Sequence, residues 1–349
     1  MHSDKNKAPY GDRTFCLLSF QYRHVLWHTF SPIRAILIVL FLSGCCPDVL
    51  PGKEMVHINK TSSLPFLTSQ STGSTLDIFT FEDDRLRRLD SYQRIEQFAG
   101  NTAYAESTGG KKIFFFCLCS HRSAYEWADM NSYSSLGKVR FELEDETRGC
   151  LTRTGECRVL AGDTGAEVVL KPLVASICLK KLSCDFSGTP YAESKLTDIR
   201  AYLTNVNGTS GLLDPDHQKP ERIINQGMLN EYDLRGFSER DLVFSDIAAS
   251  LGGSSLNPDV CFLCYPNTGN TNSPGSPCTR LVIEGKIGGI TYYWPVSITG
   301  IERGCRYEFD IHIRRKGTSD PDIPVEMSEC EIQFETKPWE EKEDYGIRF

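Results

Sequence analysis

The sequence predicts an all-β protein built from two β-sandwich domains in tandem, with few short helices. Short β-branched and aromatic runs, separated by Gly, Pro and Asn, recur from residue 76 onward. Several runs alternate apolar and polar residues, the pattern of a strand with one buried face. The 349 residues suffice for two domains of the usual size of roughly 100 to 200 residues each.

Composition and charge narrow the function class. The hydrophobic fraction of 40% and the charged fraction of 24% are ordinary for a globular chain. The formal net charge of -8 argues against a surface that binds polyanions. We therefore expect no nucleic acid partner.

The first 45 residues have the organisation of an export signal. Arg13, Arg23 and Arg34 precede the apolar run 36–42, and Ser, Gly and Cys follow at 43–45. A basic segment, a short apolar run and small residues are typical of a signal peptide, and this run is shorter than the roughly 20 residues that cross a bilayer. The sequence L-S-G-C resembles a bacterial lipobox, which predicts Cys45 as the lipidated first residue of the mature chain, with Cys46 as the rival. Residues 46–75 are rich in Ser, Thr, Pro and Gly, which favours a flexible tether.

The folded part is predicted to start at 76–81, a β-branched and aromatic run. Further strands are predicted at 112–120, 139–144, 167–182 with a break at Pro172, 199–206, 281–283 and 290–298. Helical patterns are confined to 83–97, 123–134 and 238–251. A polar break at 185–194 places the domain boundary at 190/191, giving an N-terminal sandwich at 76–190 and a C-terminal sandwich at 191–349.

The C-terminal segment carries the clearest pattern. At 305–313 the odd-numbered residues, from Cys305 to Ile313, form one apolar face, whereas the even-numbered residues are Arg, Glu, Asp and His. The stretch 314–322 supplies Gly, Ser, Asp and Pro for a reversal, and alternation resumes at Val325 and Met327 and again at Ile332 and Phe334. This pattern predicts an antiparallel hairpin over a hydrophobic core.

Several stretches resemble the fimbrillin and fimbrial-anchor lipoproteins of Bacteroidales, the subunits of type V pili. In the C-terminal half these stretches are 264–267, 279–283, 290–296 (I-T-Y-Y-W-P-V), 307–315, 317–322 (G-T-S-D-P-D), Pro338-Trp339 and Phe349. In the N-terminal half they are 76–84, 89–93 and 170–177. The resemblance implies transthyretin-like sandwiches with an immunoglobulin-like Greek-key arrangement, outer-membrane lipidation, and assembly by donation of a strand between subunits.

The resemblance also implies which segments would act. The strand-exchange segments would be the first strand and the C-terminal strands, and the residues that we single out in them are Leu76, Ile78, Phe79, Phe81, Ile332, Phe334, Ile347 and Phe349. Stalk subunits of this family are cut after an arginine, whereas anchors keep their first strand and their lipid. Arg85, Arg87 and Arg88 follow the first strand and are the candidate cut sites. The 76–81 stretch looks most like the anchor branch, which favours an anchor or accessory subunit.

Other chemistry has weaker support. A single D-T-G at 163–165 lacks the second carboxylate that an aspartic protease needs, and there is no phosphate loop or nucleophile elbow, so we expect no enzyme and no cofactor. Cys261, Cys264 and Cys278, with Cys305 or Cys330, could bind zinc, but the second paired motif is missing, so no metal is expected. Disulfides between Cys150 and Cys157 and between Cys178 and Cys184 are open alternatives.

The expected function is that of an outer-membrane, surface-exposed lipoprotein subunit of a fimbria that serves adhesion. Its expected partners are other fimbrial subunits, the outer membrane and a host or bacterial surface ligand. The competing class is a surface carbohydrate-binding lipoprotein without a pilus role, for which Trp127 and Tyr265 would form an exposed aromatic platform.

Overall fold

A computed structural model describes residues 52–60, 74–98, 102–108, 110–119, 121–160, 165–269, 277–323 and 330–338. The expected leader through Cys45, the D-T-G aspartate Asp163, and Ile347 and Phe349 all lie outside the described residues. Within the described ranges no helix has the length and apolar character that crossing a membrane would require.

Strands dominate the described residues, and the helices among them are short 3-10 turns. The strands are β1 (Gly52–Lys60), β2 (Thr75–Glu82), β3 (Leu89–Ile95), β4 (Thr102–Ser107), β5 (Lys112–Cys119), β6 (Arg140–Glu142), β7 (Arg153–Val159), β8 (Gly165–Pro172), β9 (Ala175–Cys184), β10 (Leu196–Thr204), β11 (Val206–Asn207), β12 (Thr209–Gly211), β13 (Ile223–Ile224), β14 (Phe244–Leu251), β15 (Ser255–Leu256), β16 (Val260–Cys264), β17 (Thr279–Ile287), β18 (Ile290–Ile298), β19 (Cys305–Ile313) and β20 (Cys330–Pro338). The 3-10 helices are Ala124–Trp127, Tyr133–Lys138, Leu143–Asp145, Pro215–His217, Asp233–Gly236 and Arg240–Leu242. The all-β prediction is confirmed.

The N-terminal sheet has seven strands in the order β3-β2-β5-β7-β8-β1-β4. All neighbours that pair in it are antiparallel except β1 and β8, which run parallel. Residues from β2 and β5 near one end and from β4 and β8 near the other share one hydrophobic cluster, so the sheet folds over itself around that cluster. Thr80 Oγ1 on β2 donates to the Glu106 carbonyl on β4 at 3.3 Å, which joins the two layers.

The described residues of the C-terminal half contain two larger sheets, besides the two-stranded pairs β11-β13 and β12-β6. One has the order β14-β10-β17-β18, and the other has the order β15-β9-β19-β20 with β16 also paired to β9. The predicted hairpin is confirmed, since β19 and β20 are antiparallel with Phe309 opposite Phe334. Inward-facing residues such as Phe309, Ile311 and Trp294 belong to a second, larger hydrophobic cluster.

Two boundaries differ from the sequence expectation. Strand β9, expected in the N-terminal sandwich, pairs with β16 and β19 in the C-terminal half, so the expected boundary at 190/191 does not coincide with the division between the sheets. The larger hydrophobic cluster also continues from Phe79 and Phe81 into the C-terminal sheets. Residues 52–60, expected within the flexible tether, form β1, because β4 and β8 supply backbone partners on both sides.

Two helix predictions were wrong. Residues 83–97 form a turn followed by β3, and residues 238–251 form one 3-10 turn followed by β14. In both places pairing with a neighbouring strand outweighs local helix propensity. The expected strand at 139–144 shortens to β6, which is followed by the 3-10 turn Leu143–Asp145.

The structure explains why glycine occupies position 317, the first position of the G-T-S-D-P-D stretch. Tyr293 on β18 and Thr318 exchange two backbone hydrogen bonds, each 2.9 Å long. A Cβ atom on Gly317 would lie 2.1 Å from the Tyr293 carbonyl oxygen, a distance that no side chain tolerates. Glycine therefore lets this loop close against the outer edge of β18.

Candidate strand-exchange interface

The first expected exchange segment, 76–81, lies inside the N-terminal sheet and not at its edge. β2 is paired along its length with β3 on one side and β5 on the other. Leu76 and Ile78 point into the smaller hydrophobic cluster, and Phe79 and Phe81 into the larger one. All four side chains are buried, so removing β2 would open both clusters.

A buried carboxylate fixes β2 further. Asp77 accepts hydrogen bonds from the Tyr92 hydroxyl at 2.7 Å and the Trp127 indole N–H at 3.0 Å, and Arg94 Nη1 lies 3.3 Å from the same carboxylate. Burial raises the pKa of Asp77, whereas the hydrogen bonds from Tyr92 and Trp127 and the charge of Arg94 oppose that rise. A strand that replaced β2 would have to supply an acceptor at this position, because three donors converge on it.

The candidate cut sites form a structured turn between β2 and β3. Asp84 Oδ1 accepts the backbone N–H groups of Leu86 at 2.9 Å and Arg87 at 2.7 Å. The Arg87 carbonyl accepts the Tyr133 N–H at 2.9 Å, and the Arg88 carbonyl accepts the Glu82 N–H at 2.9 Å. Arg85 and Arg88 are exposed, but these four hydrogen bonds hold the backbone around them. Cutting would therefore require this turn to open first.

A buried lysine supports the base of the same turn. Lys112 Nζ donates to Glu82 Oε1 at 2.7 Å and Thr108 Oγ1 at 2.9 Å, and it lies 3.1 Å from Asp90 Oδ2. Burial alone would raise the pKa of Asp90, but the hydrogen bonds from Thr108 and Lys112 outweigh it and lower that pKa. Sequence analysis did not predict this cluster, because the pairing of β2, β3 and β5 brings its members together.

The strand β1 occupies a different position in the sheet. It lies between β8, to which it is parallel, and β4, to which it is antiparallel. Among the described strands, β1 is the one strand with which β4 pairs. Loss of β1 would leave the backbone groups of β4 and β8 without these partners and would open a slot between them.

The second expected exchange segment, on β20, lies at a sheet edge. Among the described strands β20 pairs with β19 only, and its side chains at Ile332 and Phe334 are 39% and 53% exposed. The Phe334 ring stacks on the Tyr307 ring at a centroid distance of 5.9 Å and approaches the Phe309 ring at 5.1 Å. The edge therefore combines a row of backbone groups without a further strand partner among the described residues and a partly exposed apolar face.

Trp127 and Tyr265 do not form the expected aromatic platform. Both side chains are buried, Trp127 against Phe79 and Tyr265 against the carboxylate of Glu146. The Tyr265 hydroxyl donates to Glu146 Oε1 at 3.0 Å, and the Thr152 N–H donates to Oε2 at 2.8 Å. Burial raises the pKa of Glu146 to about 7, although these hydrogen bonds act to lower it.

The cysteines also differ from the sequence expectations. Cys178 on β9 forms a disulfide with Cys261 on β16, its direct cross-strand neighbour, and not with Cys184. Cys150 and Cys184 are outside any disulfide. Because Cys261 is oxidised, it is withdrawn from the candidate zinc set. Among the residues with described positions, no three His, Cys, Asp or Glu side chains group as a metal site would require.

Three solved structures share this architecture over most of the chain. A candidate cell adhesion protein from Bacteroides eggerthii is 19% identical, with 84% of this chain and 98% of that chain covered and a TM-score of 0.58. A candidate cell adhesion protein from Parabacteroides distasonis is 14% identical, with 84% and 98% covered and a TM-score of 0.59. The fimbrilin FimA of Porphyromonas gingivalis is 11% identical, with 83% and 97% covered and a TM-score of 0.57.

No protein-family model matches the sequence, and no curated protein matches it. The similarity to solved structures is therefore a similarity of fold. It extends over almost the full length of those three proteins. The chain has the fold of the fimbrillin-like proteins of Bacteroidales.

Proposed function

We propose that this chain is an outer-membrane lipoprotein subunit of a type V fimbria, in an anchor or accessory position, that serves cell adhesion. The shared fold with a fimbrilin and with candidate cell adhesion proteins supports a fimbrial role. We assign the chain a structural and binding role and no catalysis. Its partners would be other fimbrial subunits, and Cys45 would carry the lipid that holds it to the outer membrane.

The observation that carries the subunit role is the edge at β20. An incoming strand could form a backbone ladder with β20 and cover Ile332 and Phe334, so that it satisfies polar groups and buries apolar surface together. On the inner face of β20, the Phe334 ring packs against the rings of Tyr307 and Phe309. Donor-strand exchange at this edge would join subunits without a covalent bond.

The anchor or accessory position is supported by the way β2 is held. Its paired backbone, its four buried side chains and the three donors on Asp77 all favour a subunit that keeps β2. The ordered turn at Arg85, Arg87 and Arg88 favours the same conclusion, because a protease needs an extended segment.

The edge is tested with Phe334→Asp, which places a charge in the surface that a neighbour would cover. We expect this variant to reach the membrane fraction but to be lost from purified fimbriae, because burying an unpaired carboxylate opposes docking. Ile290→Asp is the matched control, since Ile290 is 59% exposed and lies at the start of β18. Incorporation is measured by immunoblot of sheared fimbriae, with the melting temperature as a folding check. Incorporation of the Phe334 variant at the wild-type level would refute the proposed edge.

A further inference from the structure

A polar cavity of ≈ 350 Å³ lies on the outer face of the sheet that contains β9, β19 and β20. It is lined by Lys181, Ser183, Asp310, Ile311, His312 and Gln333. This volume is at the small end of the range of about 300–1,000 Å³ that is usual for small-molecule sites. Nothing in the strand-exchange account uses this face, because Ile332 and Phe334 flank Gln333 on β20 and their side chains point to the opposite face of the sheet.

The strand register brings the lining residues together. Asp310 on β19 lies opposite Lys181 on β9 and opposite Gln333 on β20, which makes one row across three strands. His312 lies opposite Ser183 in the next row. The row is therefore fixed by backbone pairing, and its geometry does not depend on a mobile loop.

The hydrogen-bonding capacity of the row is unused. The side chains of Lys181, Asp310 and Gln333 are exposed and form no hydrogen bond or ion pair with other residues that the structure describes. His312 Nδ1 lies 2.8 Å from Ser183 Oγ, which orients the imidazole and leaves its Nε2 atom available. A donor-only ammonium, an acceptor-only carboxylate and an amide that does both thus face one small cavity.

The charges limit the class of ligand. Lys181 and Asp310 cancel, so a simple anion would meet the carboxylate and a simple cation would meet the ammonium. A metal ion is not favoured either, since the described residues contain no group of three ligating side chains. A neutral molecule with many hydroxyl groups fits best, because each hydroxyl can donate to Asp310 or accept from Lys181.

We propose that this cavity is a binding site for a saccharide, with Lys181, Asp310 and Gln333 as its hydrogen-bonding residues and His312 at its border. The site would give the protein a ligand of its own, apart from any strand that it shares with other subunits. It goes beyond the proposed fimbrial role and does not depend on it, because the cavity and the β20 edge use different faces and different atoms.

The test uses the full mature chain extracted in detergent. Binding of glucose, galactose, mannose, fucose, N-acetylglucosamine and N-acetylgalactosamine is measured by saturation-transfer NMR and calorimetry, with alanine as a zwitterionic probe. We expect at least one sugar to bind with a millimolar or tighter Kd. Asp310→Asn and Lys181→Met should each weaken that binding by about tenfold or more, because each removes a hydrogen bond to a charged group.

The controls are Asp246→Asn and Lys219→Met, which make the same chemical changes at exposed positions outside the cavity. The control variants should leave the Kd within about twofold of the wild-type value. Loss of one hydrogen bond to a charged group, as expected in the cavity variants, would change the Kd by more than twofold. Failure of every sugar to bind the wild-type chain would overturn the proposal, as would equal binding by the cavity variants or binding of alanine in place of sugars. Fimbrial incorporation of the same variants should be unchanged, which separates this proposal from the proposed function.

Discussion

The indole of Trp127 donates a hydrogen bond to the carboxylate of Asp77 at 3.0 Å, and both groups are buried. These residues are 50 positions apart, and the bond joins β2 to the 3-10 turn Ala124–Trp127. Trp127 was expected on an exposed aromatic platform. It instead belongs to the group of hydrogen bonds to Asp77 that holds β2 in its sheet. These hydrogen bonds are the physical basis of our proposal that the subunit retains β2.

Asp77→Ala should lower the free energy of unfolding by about 2–4 kcal/mol, because the buried Trp127 indole and the half-buried Tyr92 hydroxyl would lose their acceptor. Asp77→Asn should cost roughly half as much, since one carbonyl oxygen remains to accept. Urea denaturation followed by tryptophan fluorescence measures both. An Asp77→Ala variant as stable as wild type would mean that these hydrogen bonds do not hold β2.

A second prediction concerns Arg303, which lies in the β18–β19 loop and contacts the N-terminal sheet. Its guanidinium donates to the carbonyls of Thr154 at 2.9 Å, Lys171 at 2.5 Å and Pro172 at 3.2 Å, and burial lowers its pKa to about 10. Arg303→Met should destabilise the chain by about 2–3 kcal/mol, because it leaves carbonyls at the ends of β7 and β8 without donors.

The control for this variant is Arg235→Met, at an exposed position. It should change stability by less than about 0.5 kcal/mol, as is usual for the surface. Calorimetry of both variants makes the comparison. If Arg303→Met unfolds at the wild-type temperature, the guanidinium is not a link between the two halves of the chain.

A third prediction concerns Glu146 and the way in which the free energy of unfolding depends on pH. Its folded pKa of about 7 exceeds the ordinary value of 4.5, so its favourable contribution is complete below about pH 4.5 and is lost as the pH rises through 7. The loss is of order 3 kcal/mol at most, from about 1.4 kcal/mol per pKa unit. Glu146→Gln should flatten this decline between pH 5 and pH 8, because the amide does not ionise.

The matched control is Glu193→Gln, at an exposed position, which should leave the pH profile unchanged. Unfolding free energies from urea titrations at pH 5, 6, 7 and 8 give the profiles. The same decline in Glu146→Gln as in wild type would show that another group causes it.

The strands with clear alternation were predictable from the sequence. Strands β18 and β19 have the bounds that periodicity predicts, and Pro172 ends β8 as expected, because side-chain period and proline geometry are local properties. Strands β1, β3 and β14 were not predictable, since pairing with strands distant in sequence decides their conformation.

The candidate sites show the same division. The alternation at Ile332 and Phe334 was visible in the sequence, whereas their exposure at a sheet edge was not. Three groups depend on the register between strands that are separated in the chain. They are the Lys112 cluster, the hydrogen bonds to Asp77, and the row of Lys181, Asp310 and Gln333. Sequence spacing carries no record of that register, so only the folded structure brings these groups together.

The mature N-terminus tests the central claim most directly. Intact-mass and peptide mass spectrometry of the chain extracted from the cell surface should find a lipid-modified Cys45 and an uncut chain through β2, because β2 and its turn are held in place. Arg85→Gln, Arg87→Gln and Arg88→Gln together should leave that N-terminus unchanged. A mature chain that begins at Leu86, Arg88 or Leu89 in the wild type would contradict the account, since it would mean that β2 is cut away.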